Sequence, residues 1–288
     1  MILSALQDAV IDTVKLIPFL FVTYLVMEYI EHKAEGKSAS LLEKSGKFGP
    51  VIGALIGVVP QCGFSAAAAS LFSGGVITLG TLIAVFLSTS DEMLPIFISE
   101  AVAPLTIIKI LGTKILLGLI SGFFVDYVIR HEKHTHDADK HIHDLCEREH
   151  CACEENEDGI LMPAFRHTVQ ITAFIFVITF LITVLIEGIG EEAIGSFLAN
   201  KPVVGVFLTG IVGLIPNCAS SVTITELYLL GILNAGQMMS GLLVGAGVGL
   251  LVLFRTNDHP NENLKVLMIL YFSGVFWGLL IEQMGIAF

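Results

Sequence analysis

The chain has 288 residues, of which 54 % are hydrophobic and only 15 % charged, with a formal net charge of −12. Soluble domains carry about 25 % charged residues, and the mean hydropathy here is +0.81, so a soluble globular enzyme or binding module is excluded. What remains is an all-α polytopic membrane protein whose acidity is local: residues 130–159 hold ten Asp/Glu against four Lys/Arg, and no nucleic-acid partner is expected.

The N-terminal stretch MILSALQDAVID has no basic run and carries Asp8 and Asp12, so it does not read as a cleaved signal peptide. A long helix is expected over 9–31, followed by a loop with Lys33, Lys37, Lys44 and Lys47. A short helix then runs into VVPQCGFS, residues 58–65. Pro60 lacks a backbone donor and clashes with the preceding turn. Backbone groups do not go unpaired in hydrocarbon, so the break belongs where protein or water covers it. Gln61 and Cys62 bring an amide and a thiol to that place. A kink with a buried cysteine acting as a small apolar residue is the plainer alternative.

A second short helix is expected over 64–73, then long helices over 76–99 and 102–128. Within the first of these, FLSTSDEMLP puts Asp91 and Glu92 between apolar runs. A carboxylate at mid-bilayer costs about 2.5–3.5 kcal/mol on insertion scales, and such residues mark ion paths. Adjacent carboxylates repel, so the pair suits a site that holds either a divalent cation or protons. Helix capping by Ser-Thr-Ser-Asp is the structural alternative. Lys109 and Lys114 lie in the next helix as potential counter-charges.

Residues 130–160 form a linker between a first membrane unit, 1–129, and a second, 161–288. Its sequence supplies His131, His134, His136, His141, His143 and His150, with Cys146, Cys151 and Cys153. The segment is too polar to pack, and His/Cys-rich tracts bind metal. The spacing matches no zinc finger, so weak, adaptable capture is expected.

The second unit repeats the first at a fixed offset of 156 residues. GLIPNCASS at 213–221 matches GVVPQCGFS at 57–65, which sets Pro216 on Pro60, Asn217 on Gln61 and Cys218 on Cys62. Glu187 falls on Glu31, Gly231 on Gly75, Gly236 on Gly80, Lys265 on Lys109, Gly278 on Gly122 and Glu282 on Asp126. Such a series argues for internal duplication. Each unit then has about five helical elements, the short pair being either two thin spans or a re-entrant hairpin. Five or three spans per unit are both odd, so the two repeats have inverted topology. Positive charge lies on the face of the linker, which is therefore cytoplasmic, with both termini outside a plasma membrane. In inverted-repeat transporters, broken helices meet near the midplane and line the substrate site. The expected site gathers Gln61, Cys62, Asp91, Glu92, Asn217 and Cys218, with Glu226 as a further isolated acid. Carboxylate and amide oxygens suit Mn-like ions, and thiols shift preference toward softer metals. The expected partners are the bilayer, a metal ion and protons. The transition metal is substrate, with no prosthetic group, and homo-oligomerisation is left open.

No His-x-x-x-His pair, Gly-x-Gly-Asp pair or Ser–Lys base lies within the apolar segments, so an intramembrane hydrolase is not expected. Through GVVPQCGFSAAAASLF, STSDEMLP, GLIPNCASSVTITELYLLG and the His-rich break, nearly the whole chain resembles the ten-transmembrane heavy-metal exporters. That bacterial and archaeal family is also described as arsenic efflux proteins or manganese transporters. The resemblance implies secondary active, proton-coupled efflux of a divalent transition metal by alternating access. The alternative it implies is efflux of arsenite or an organoarsenical, in which Cys62 and Cys218 serve as the thiol ligands.

Overall fold

The structure is a computed structural model that describes residues 48–90, 92–129, 161–189 and 202–288, together with 6–25 except 8, 12, 16, 19 and 23. Among them every regular element is helical. The expectations for the linker residues His131, His134, His136, His141, His143, Cys146, His150, Cys151 and Cys153 lie outside the described residues, as does that for Asp91.

Behind an N-terminal helical segment within 6–25, the first repeat contains α1 (Gly49–Gly57), α2 (Cys62–Ser73), α3 (Leu79–Ser88), α4 (Met93–Ser99) and α5 (Pro104–Ile129). The second contains α6 (Leu161–Ile189), α7 (Pro202–Gly213), α8 (Cys218–Leu229), α9 (Ala235–Val244), α10 (Gly249–Thr256) and α11 (Pro260–Gln283). The starts of α2, α3, α4 and α5 fall on those of α8, α9, α10 and α11 at the 156-residue offset. The duplication read from residue types is therefore a duplication of elements.

Small residues set the shared geometry. The turn before α3 and the turn before α9 each pass through a left-handed glycine, Gly75 at φ 71° and Gly231 at φ 72°, a conformation in which glycine pays no Cβ penalty. Thr78 then accepts from the Thr81 N–H to start α3, and Asn234 with Gln237 forms a capping box on α9. One turn on, a Cβ at Gly80 would meet the Gly122 carbonyl at 2.2 Å, and one at Gly236 the Gly278 carbonyl at 2.6 Å. Glycine lets the backbones of α3 and α5, and of α9 and α11, approach directly. In each repeat the acid of α5 or α11 closes the contact. Asp126 accepts from the Thr78 hydroxyl and the Gly80 N–H, both at 2.8 Å. Glu282 accepts from the Asn234 amide at 3.0 Å.

Each repeat so builds a three-helix packet, α1–α3–α5 and α7–α9–α11. Past the proline breaks the chain also reaches the other repeat. Beyond Pro60, α2 packs on α10 of the other repeat; beyond Pro216, α8 packs on α4. The two contacts are reciprocal at the 156-residue offset. Two pairs of counterparts also touch each other directly. Cys62 with Cys218, and Ser121 with Trp277 (the indole N–H donates to the Ser121 hydroxyl at 2.8 Å), are such pairs.

The continuous helix expected over 76–99 and its counterpart in the second repeat are each two helices. The first stops at Ser88, where the hydroxyls of Ser88 and Thr89 turn back onto the Ala84 and Val85 carbonyls at 2.8 Å and Thr89 turns out of the helix at ψ 127°. Such side-chain bonds compete with helix continuation. The second stops before Gly245 and Gly247, the latter at φ 53°. The ten residues of α3 rise about 15 Å, half of the ~30 Å hydrocarbon core, so α3 alone is too short to cross it.

Five helices among the described residues are long and apolar enough to cross a membrane, counting α3–α4 and α9–α10 as one each. Those two are mostly buried inside the protein, at 71 % and 83 %, whereas α5 and α11 are buried over only 33 %. The outer face of α5 presents Leu105, Ile108, Leu116, Ile120, Phe124 and Tyr127, an apolar stripe at helical spacing that suits lipid. This is a multi-pass membrane protein.

Candidate functional site

The two proline-bearing breaks meet. Each short helix begins at its own cysteine, rather than two residues later as the sequence pattern suggested, because Gln61 and Asn217 hold the extended N-cap conformation. The cysteines therefore sit in the first turns of α2 and α8. Their Sγ atoms approach to 3.0 Å, Cys218 buried and Cys62 partly so. Ser65 and Ser221 brace the two turns alike, each donating to its cysteine's carbonyl at 2.8 Å.

The two amides have parted in role. Asn217, 2 % exposed, turns inward, and its Oδ1 accepts from the Ala219 N–H at 3.4 Å. Gln61 turns outward and donates from Nε2 to the Lys15 carbonyl at 3.0 Å. The ammonium of Lys15 in turn lies 3.8 Å from the Glu92 carboxylate, with the two side chains 51 % and 28 % exposed. Gln61, Lys15 and Glu92 thus form a chain of contacts leading away from the thiols. Pro60 is exposed and Pro216 half-buried at the turns themselves.

Glu226 stands apart. It lies on α8 eight residues past Cys218, about 12 Å along the axis, and the structure does not bring it to the thiols. Among the described residues no three His, Cys, Asp or Glu side chains come together as a metal cluster. What the arrangement offers is two thiols, one from each repeat, able to bond the same atom.

Two lysines escaped the pattern in different ways. Lys15 pairs with Glu92, for which Lys109 and Lys114 had been named as potential counter-charges, while Asp91 lies outside the described residues; the signal of Lys15 was a single cation in the otherwise apolar KLIPFLF. Lys109 faces outward. Lys114 is 1 % exposed and reaches the second break, donating from Nζ to the Thr89 carbonyl and, at 2.9 Å, to the Leu242 carbonyl.

Comparison with known proteins agrees with this architecture. Residues 1–166 match the family described as "Putative, 10TM heavy-metal exporter". No curated protein and no solved structure matches the chain. With 166 of its 288 residues matched, from the first helix through the start of the second repeat, the chain belongs to this family of heavy-metal exporters.

Proposed function

We propose that the chain is a secondary exporter of a thiol-seeking metal ion or metalloid, held between Cys62 and Cys218 while two inverted halves alternate access. The observation that carries this reading is the 3.0 Å approach of two thiols contributed by counterpart positions of the two repeats. Thiolate ligands select soft ions such as Zn²⁺ and Cu⁺ over Mn²⁺. Two bonds of about 2.3 Å to one tetrahedral ion hold the sulfurs roughly 3.8 Å apart, so loading spreads the two break tips and changes how the halves meet. Binding displaces the thiol protons, which makes proton return from outside the means of release. The His/Cys-rich linker gathers the ion on the cytoplasmic side, in keeping with the positive charges that flank it. A trivalent arsenic atom bearing one carbon also takes two thiols and belongs to the same chemical class.

The reading through Asp91 and Glu92, for a Mn-like divalent ion, keeps one specific support. Glu92 is tied through Lys15 to Gln61, the residue next to Cys62.

Proteoliposomes loaded in turn with Cd²⁺, Zn²⁺, methylarsenite and Mn²⁺ separate the two. Cys62→Ser and Cys218→Ser should each stop the first three, with Asp91→Asn and Glu92→Gln leaving them moving. Mn²⁺ transport that survives in the thiol-free protein and is lost in the carboxylate variants would give the function to the acids.

A further inference from the structure

We propose that Lys114 is the resident cation of a carbonyl site shared by the two repeats, a charged latch between the inner ends of α3 and α9. Lys114 is the eleventh residue of α5, about 15 Å from its start, well inside a helix long and apolar enough to cross a membrane. It is 1 % exposed. A lysine there does not reach water along the helix; its ammonium needs acceptors inside the protein.

Two of its acceptors come one from each half. Thr89, whose carbonyl takes one ammonium proton, is the C-cap of α3. Leu242, whose carbonyl takes another at 2.9 Å, is in the last turn of α9. Helix C-terminal carbonyls lack an internal partner and carry the negative end of the helix dipole. Two such ends around one ammonium have the composition of a cation-binding site in which the cation is covalently attached.

The fold itself does not ask for this lysine. Its counterpart at the 156-residue offset is Leu270, fully buried at the equivalent place on α11. The second break there closes through Gly245, whose N–H donates to the Gly241 carbonyl at 2.9 Å. One half carries a charge where the other carries leucine, and that charge reaches across to the half that lacks it. The ligand class of the site, once vacated, is a small monovalent cation with N–H donors or a bare alkali ion.

The test uses the purified full chain in detergent and needs no transport substrate. Lys114→Ala is expected to lower the thermal midpoint by about 5 °C. Methylammonium chloride should restore much of that loss, tetramethylammonium chloride at equal ionic strength should not, and wild type should respond to neither. A Lys114→Ala midpoint that treats the two salts alike overturns the proposal, because a lysine that merely fills space leaves no cation site behind. Should the alanine variant not fold, Lys114→Arg is compared with Lys114→Met. An arginine variant that is the more stable supports the latch; a methionine variant equal to it or better overturns it.

Discussion

The molecule has two pairs of broken helices, and they have aged differently. At the first pair the counterparts kept their chemistry: proline, amide and thiol on both sides, with the serines behind them bonded alike. At the second, Thr89 and Ser90 stand opposite Gly245 and Ala246, and Lys114 opposite Leu270. A single bound atom on a two-fold axis is served best by identical ligands from each side. A single fixed charge can be supplied by one side only. On the reading proposed above, the symmetry retained serves the cargo and the symmetry lost serves the link between halves.

The largest effect expected from breaking this contrast is at the thiols. Cys62→Ser and Cys218→Ser should each cut Cd²⁺ flux by about a hundredfold or more, and the double variant should be no worse than either, since the ligands act as a unit. Flux assays on vesicles read this directly; additive losses would mean that the sulfurs do not share one ion. Next comes Lys114→Leu, which makes the second break symmetric. Leaving two buried carbonyls without their donor is expected to cost about 1–3 kcal/mol, measured by denaturant titration in mixed micelles. A smaller effect is expected from Gly247→Ala, which forces a Cβ into a left-handed conformation at about 1 kcal/mol, or about 2–4 °C in thermal midpoint. Lys15→Gln should be smallest. Its pair with Glu92 is partly exposed, so about 0–1 kcal/mol is at stake, fading in high salt. A Lys15→Gln effect on flux approaching that of the thiols would move the cargo toward Glu92.

Much of this was legible beforehand because membrane helices leave few ambiguities. The 156-residue offset, read from glycines, prolines and acids, set the helix starts in register, since those residues make the turns and close contacts that define each element. The meeting of Cys62 and Cys218 also followed from the repeat. The second pair of breaks was harder to see. No proline marks it, and FLSTSDEMLP reads equally as a helix with hydroxyls or as two helices, because Ser and Thr side chains bond to their own carbonyls in either case. Lys114 drew notice as a charge, but its bonds to backbone carbonyls of α3 and α9 are ones that no pattern of side chains announces. Glu226 was grouped with the thiols on its residue type alone; the length of α8 separates them.

The chain has a single tryptophan, and Trp277 bonds to its own counterpart Ser121 across the contact between the repeats. Any rocking of one half against the other must stretch or break that hydrogen bond. Under the alternating access proposed above, the emission wavelength of this native fluorophore is expected to shift as that contact opens, without a label.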